Sequence, residues 1–280
     1  MSGDDTHLLE TAIRAARIGG ELALSRLDNP GYQKWKGPRE LLAGAVLDIQ
    51  TAIVDVIRQE FPDHPLLVEE SDEPQDEQAD PLWIIDPLDG TVNFFHGLPM
   101  FAVSIGFRAG GKHRLGVVYD PSRDELFHAV LNGGAYLNGK PIQVDRFAGE
   151  LDSFQWAVVG TDWTGNQEEL KRSFQLTRVI AGEVLNVRTL GSPALGLCYV
   201  AAGRMHAYYG LDHLKLWDVA AGAVIVKEAG GAFTNLDGGP WQQANEDGYL
   251  ATNGMAHTYM KGYVSGVRRL QREIRERRKQ

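Results

Sequence analysis

Apolar residues recur at helical spacing near the start of the chain: Leu8, Leu9, Ala12, Ile13 and Ala16 share one face of a predicted helix over 7–27, which Asn29-Pro30-Gly31 ends. A second amphipathic run predicts a helix over 41–61, closed at Pro62-Asp63, and the basic stretch between them, 34–39, reads as a loop. The two helices are expected to pair on one side of a sheet. Leu66, Leu67 and Val68 predict a short strand ending in Glu69-Glu70-Ser71, and the acidic residues 71–80, without periodicity, predict an exposed loop. The apolar run over 83–86 stops at an Asp-Pro step, so it reads as a buried strand that delivers Asp86 at its end.

Runs over 101–107, 115–119 and 125–130 predict antiparallel strands. Turn chemistry sets them apart at Gly110-Gly111 and Asp120-Pro121-Ser122, then recurs at Asn132-Gly133-Gly134 and Asn138-Gly139-Lys140. Past about residue 149 the pattern changes, with strands expected at 156–160, 186–189 and 205–209 and helices at 167–180, 194–202 and 217–229. The expectation is a layered α+β / α/β fold. Residues 1–149 form an N-terminal region on a mainly antiparallel sheet, and 150–280 form a smaller α/β region continuous with it.

Composition narrows the class. With 280 residues, 43% hydrophobic and 23% charged, the chain can bury a sizeable core as one large or two intimate domains. No window approaches the roughly 18 consecutive apolar residues of a membrane span, and residues 1–10 are too polar for a secretory signal, so the cytoplasm is expected. Cys198, the single cysteine, lies in an apolar run and reads as core. A net charge of -9 argues against general nucleic-acid binding. The arginine-rich segment 264–280 reads as a solvated terminal helix.

The chemistry-bearing stretch follows the strand at 83–86. Asp86 sits where a strand opens; Pro87 fixes the backbone, Leu88 offers a free carbonyl, Asp89 brings a second carboxylate, and Gly90-Thr91 permits close approach at a helix start. A bare D-x-x-D-G also describes an Asp-rich turn with a helix cap. Glu69 and Glu70 read equally as solvated surface, and Asp218, after Lys215 and Trp217, as an ordinary N-cap. The small residues Ala220, Ala221 and Gly222 would let that helix pack closely on the sheet. Taken together, Glu69, Asp86, Asp89, Asp218 and the Leu88 carbonyl make an all-oxygen set, which suits a hard cation such as Mg2+ and not zinc.

With Glu69-Glu70-Ser71, the run from Trp83 to Phe94 (WIIDPLDGTVNF), WDVAAG from Trp217 to Gly222 and Gly191-Ser192-Pro193, the chain resembles the inositol monophosphatase family over about 12–260. That family lies within the lithium-inhibited, Mg2+-dependent sugar phosphatases. The resemblance implies the alternating αβαβα sandwich shared with the fructose-1,6-bisphosphatase type, a cytoplasmic homodimer, and hydrolysis of a small phosphate monoester, with neither nucleic acid nor membrane as partner. It places one Mg2+ on Glu69, Asp86 and the Leu88 carbonyl, a second on Asp86, Asp89 and Asp218, and a weaker third near Glu69. It also gives phosphate oxygens to the amides of Gly90 and Thr91, the attacking water to the Thr91 hydroxyl, and a phosphate-side loop to Gly191, Ser192 and Pro193.

Two departures stand out. Family members carry V-T-x-x-D upstream of the double glutamate, where this chain has Leu42-Ala43-Gly44-Ala45-Val46, so Val46 stands in place of the aspartate that would activate water with Thr91. Asp48 is two positions on, a rotation of roughly 200° on a helix, which leaves Glu70 or hydroxide on the metal to serve as base. Inositol-specific members also carry a glutamate after the Tyr-Tyr strand, where Tyr208-Tyr209 is followed here by Gly210-Leu211-Asp212. Asp212 is the candidate for substrate hydroxyls, and Lys36 with Arg39 for attracting the anion. Inositol phosphate, another sugar phosphate, histidinol phosphate and a nucleotide 3'-phosphate stay open, as does a catalytically weakened member that binds metal, phosphate or a partner.

Overall fold

The computed structural model describes residues 3–37, 40–146, 153–163, 167–211, 215–241 and 248–277. Helix α1 (Gly3–Arg26) is followed by the paired strands β1 (Gln33–Gly37) and β2 (Glu40–Ala43), then α2 (Gly44–Glu60). The second helix was expected from residue 41; instead 41–43 pair antiparallel with 33–35, and part of the expected basic loop is strand. Backbone bonds from Gly44 N to the Tyr32 carbonyl (2.8 Å) and from Ala45 N to the Pro30 carbonyl (3.0 Å) anchor that pairing. Cross-strand bonding thus overrides the apolar period there and delays the helix to Gly44.

The next seven strands form one sheet in chain order: β3 (Leu66–Val68), β4 (Leu82–Asp89), β5 (Ala102–Ala109), β6 (Lys112–Asp120), β7 (Glu125–Val130), β8 (Ala135–Leu137) and β9 (Lys140–Ile142). Helix α3 (Thr91–Phe95) lies between β4 and β5. Every pairing is antiparallel except β3 with β4. Strands β8 and β9 have three residues each, too few to leave a period between the Asn-Gly turns that flank them.

A second, five-stranded sheet has the order β11-β10-β12-β14-β13, from β10 (Val158–Thr161), β11 (Asn186–Arg188), β12 (Ala207–Gly210), β13 (Ala232–Asn235) and β14 (Tyr249–Thr252). β10 runs parallel to β11 and β12, and β14 antiparallel to β12 and β13. The helices here are α4 (Gln167–Ala181), α5 (Pro193–Ala201), α6 (Leu216–Glu228) and α7 (His257–Arg277). Three local expectations change. Trp156 belongs to a short 3-10 turn, β13 and β14 carried no recognised signal, and the last helix begins at His257 instead of residue 264.

Three apolar cores divide the layers. One joins α1 and α2 to the outer face of the seven-stranded sheet, through Ile49, Ile53, Trp83, Ile85 and Val103. A second joins the inner face to α5, α6 and the five-stranded sheet, through Ile84, Ala102, Leu197, Ala221 and Tyr208. The third lies between the five-stranded sheet and α4 with α7, through Val159, Leu176, Leu250 and Met260. The architecture is therefore α, β, α, β, α in layers. Cys198 is fully buried in the middle core.

The small face of α6 sits on the first sheet. A Cβ on Gly106 would stand 3.1 Å from that of Ala220, and one on Gly116 would collide with the Ala221 carbonyl. Larger residues at either glycine would lift α6, and Asp218 with it, off the sheet.

Candidate functional site

β4 is buried along its whole length, and the chemistry depends on an irregularity in it. Asp86 pairs with Ser104 and Asp89 with Ala102, so three residues on β4 span two on β5. In a regular strand, positions three apart point to opposite faces. The extra residue of this bulge, at Pro87-Leu88, returns Asp89 to the face of Asp86. That face looks toward α5 and α6, where Ser104 Oγ donates to the Trp217 carbonyl (3.4 Å). Leu88 turns the other way into the outer core.

Three aspartates are each anchored through one carboxylate oxygen to a backbone amide. Asp86 Oδ1 accepts from Leu88 N (2.9 Å), Asp89 Oδ2 from Ala194 N at the start of α5 (2.9 Å), and Asp218 Oδ2 from Lys215 N (3.0 Å). Glu69 is brought in by the parallel pairing of β3, its amide donating to the Ile85 carbonyl (3.1 Å). Burial pushes the Asp86 carboxyl well up, and the charges of Glu69, Asp89 and Asp218 push it further; Glu69 also shares a hydrogen bond with it. Asp89 is raised as well, chiefly by burial, with the Ser192 hydroxyl opposing. Four carboxylates thus converge, and no cation is among the groups that dominate the titration of Asp86. As placed, the described side chains do not close into a ready cage of three or more ligands. Oxygen donors that repel one another at the end of a buried strand fit a hard divalent cation, whose charge would offset both burial and repulsion.

Two groups in the loops already have partners. The Leu88 carbonyl is not free, since it accepts from the Thr91 hydroxyl (3.0 Å), leaving one lone pair. Ser192 is buried and donates to Asp89, while its own oxygen accepts from Leu195 N as the cap of α5. In this arrangement its hydroxyl orients a carboxylate. Pro193 is the first residue of α5, and Gly191, at φ 68°, turns the chain beside Gly90. Gly90 itself has φ 94°, and a Cβ there would stand 2.8 Å from the Met100 carbonyl and 3.1 Å from that of Gly191. Only glycine fits that turn.

Two residues that sequence reasoning passed over hold these loops together. Asn93 Nδ2 donates to the carbonyls of Met100 and Leu190 (2.7 Å each) and Gly191 (3.3 Å). Asp162, just after β10, accepts from the amides of Leu190 (3.0 Å) and Gly191 (2.7 Å) and from the Tyr208 hydroxyl. Burial raises the Asp162 carboxyl and those donors counter it. Asn93 stood within the quoted motif, next but one to Thr91; Asp162 had no signal beyond its place at a strand exit.

Val46 is fully buried in the first turn of α2, in the same core as Leu88 and Phe94. Asp48 points elsewhere and pairs with Arg26 of α1 (3.0 Å), both side chains about half exposed. The side chains of Lys36 and Ala43, and all of Arg39 and Asp212, lie outside the described residues, as do the side chains of the arginine-rich end of α7.

The model of the inositol monophosphatase family matches residues 4–271. A protein named Nus factor SuhB from Pasteurella multocida is 38% identical over 240 residues, 83% of this chain and 86% of that protein. Inositol monophosphatase 1 of Solanum lycopersicum is 37% identical over 240 residues, 85% of this chain and 87% of that one. Among solved structures, an IMPase of Thermotoga maritima superposes with a TM-score of 0.83 at 32% identity, covering 92% of this chain and 96% of that chain. A converging carboxylate site, the five-layer fold and these matches agree: the chain belongs to the inositol monophosphatase family.

Proposed function

We propose that this chain is a Mg2+-dependent phosphomonoesterase acting on a small sugar or polyol phosphate. The observation that carries the reading is the convergence of Glu69, Asp86, Asp89 and Asp218 on one inward face, with Asp86 buried among three like charges. Those groups and the remaining lone pair of the Leu88 carbonyl would hold two or three ions. Mg2+, when bound, supplies Lewis acidity toward the phosphate and lowers the pKa of water. The chain's own part is positional. The amides of Gly90 and Thr91 bind phosphate oxygens, the Thr91 hydroxyl orients the attacking water, and Asn93 with Asp162 fixes the 190–191 segment beside them. With Val46 in the aspartate's place, Glu70, whose backbone Gln50 holds, or hydroxide on the metal would serve as base. Asp212 and Lys36 remain the proposed contacts to substrate hydroxyls and charge.

A second reading, a weakened enzyme that acts through a protein partner, is favoured by one observation. The position expected to hold the water-activating aspartate is a buried valine, and Asp48 is committed to Arg26. A relative named Nus factor is compatible with that reading. The cytoplasmic homodimer belongs to the first reading; no helix among the described residues is long and apolar enough to cross a membrane, and the exposed, stacked Trp163 and Phe174 offer a contact surface. Phosphate release from a panel of sugar, polyol, histidinol and nucleotide 3'-phosphates, with and without Mg2+, separates the readings. Metal-dependent turnover on any of them supports the first, and none on all of them supports the second.

A further inference from the structure

A polar cavity lies at the end of α6 away from Asp218. The helix carries Asp218 in its first turn and Lys227 in its last, nine residues on, a rise of about 14 Å. There a cavity of about 540 Å3 opens between that end of α6, the Gly110-Gly111 turn joining β5 to β6, and Trp241.

Its charges are unbalanced. Arg108, Lys112 and Lys227 line it together with the carboxylates Asp80 and Glu228. Both carboxylates are already engaged by backbone turns. Asp80 accepts from the amides of Gly110 (2.9 Å) and Gly111 (2.8 Å), and Glu228 from those of Asn132 and Gly134 (2.9 Å each). Arg108 is buried, and its guanidinium donates to two neutral acceptors, the carbonyls of Glu77 and Ala79. Lys227 is exposed, its ammonium 6.0 Å from the centre of the Phe233 ring, and partial loss of water lowers its pKa.

His113 adds an unmet hydrogen bond. Its Nδ1 is buried without a partner, and its ring lies 5.4 Å from that of Trp241. Burial, Arg108 and Lys227 pull its pKa to about 4, so the imidazole is neutral at pH 7 and Nδ1 can donate or accept. Gln78 adds one more polar side chain, and the apolar part of the wall is Leu131, Ala223, Val224 and the buried Trp241. Ligand cavities commonly measure roughly 300–1,000 Å3, and a bare inorganic anion would leave most of this one unfilled.

We propose that this cavity binds a small organic anion with a flat apolar ring, its charge met by Arg108, Lys112 and Lys227 and its ring by Trp241, with His113 Nδ1 in hydrogen-bond reach. The proposal goes beyond the phosphatase reading and does not depend on it.

Benzenesulfonate is a suitable probe, since it has the ring and the charge but no phosphate ester to hydrolyse. Calorimetric titration of the full chain should show one saturable site per chain. Lys227→Met should weaken it at least tenfold and Lys227→Arg should keep most of it, while Asp86→Asn, at the other end of α6, should leave it unchanged. Sulfate alone should bind more weakly than the ring-bearing probe. In the parent protein, saturation should also shift the His113 imidazole resonances, a readout that needs no variant. The proposal is overturned by an absence of saturable binding, by equal binding in the parent and a folded Lys227→Met protein, by loss of binding in Asp86→Asn, or by unmoved His113 resonances at saturation.

Discussion

Gln50 clasps the backbone of Glu70 from both sides, its Nε2 donating to the Glu70 carbonyl at 2.7 Å and its Oε1 accepting from the Glu70 amide at 3.0 Å. The pair sets the rotation of α2 against the strand exit. Val46, one turn earlier, shares the face of Gln50, whereas Asp48 does not. If Thr91 needs a carboxylate partner, it belongs at Val46. The double change Val46→Asp with Ala43→Thr should therefore raise phosphatase kcat, by up to about a hundredfold given the usual worth of a positioned base. Asp48→Asn should leave kcat near the parent's. Steady-state kinetics of both variants checks this, and a dead Asp48→Asn enzyme with no gain in the double mutant would reverse the assignment.

Asp86→Asn should abolish Mg2+-dependent turnover without unfolding the chain. The carboxyl it replaces is pushed up by burial and by three neighbouring carboxylates, so ionised Asp86 costs the metal-free fold stability. A folded pKa above the unfolded value means that the stability contributed by the protonated carboxyl is full below the ordinary carboxylate range and is lost as pH rises above it. Without Mg2+ at neutral pH, the variant should melt no lower than the parent. Added Mg2+ should raise its melting temperature less than the parent's. Calorimetric melting with and without the ion decides both points.

His113 predicts acid sensitivity of the other sign. Its folded pKa of about 4 lies below the ordinary imidazole value of 6.5, so the folded state holds the neutral ring and the unfolded state takes the proton first. Stability is fully present above the unfolded pKa and falls as pH drops toward about 4, by on the order of 2 kcal/mol between pH 7 and 5. Urea unfolding at those two pH values should show that loss in the parent and a smaller one in His113→Gln.

Asn93→Ala should disconnect the loop before α5 from the turn after β4. It strips the half-buried Met100 and Leu190 carbonyls of their 2.7 Å donor, at a cost of roughly 1 kcal/mol, since water can partly replace the lost bonds. With Gly191 released from beside Gly90, phosphate-side contacts should loosen, so KM should rise more than the melting temperature loss alone explains. Kinetics at a temperature well below melting isolates that effect.

Much of this arrangement is readable from residues. The abrupt end of an apolar run at Asp86, the small face Ala220-Ala221-Gly222 and the order of the motifs locate two walls of the site before any coordinates. The bulge that turns Asp89 inward was signalled only by Pro87, since proline inside a strand marks an edge or a bulge, and the strand was expected to stop there. The hairpin at 33–43 was hidden because a short apolar stretch fits helix and strand alike. Asp162 could not be found at all. Its role depends on β10 lying parallel to β12, which brings Tyr208 within reach of its carboxylate, and that is a matter of topology, not of local pattern.

The bond between Ser192 and Asp89 closes a loop of 103 positions along the chain. Contacts so remote in sequence are slow to form, because the chain's loop-closure entropy is lost before they contribute anything. The seven-stranded sheet, assembled from neighbours in chain order, has no such delay. The carboxylate centre should therefore be among the last features to mature during refolding, and recovery of Mg2+ affinity should lag behind recovery of sheet structure, making the ion a clock for the final docking of the two sheets.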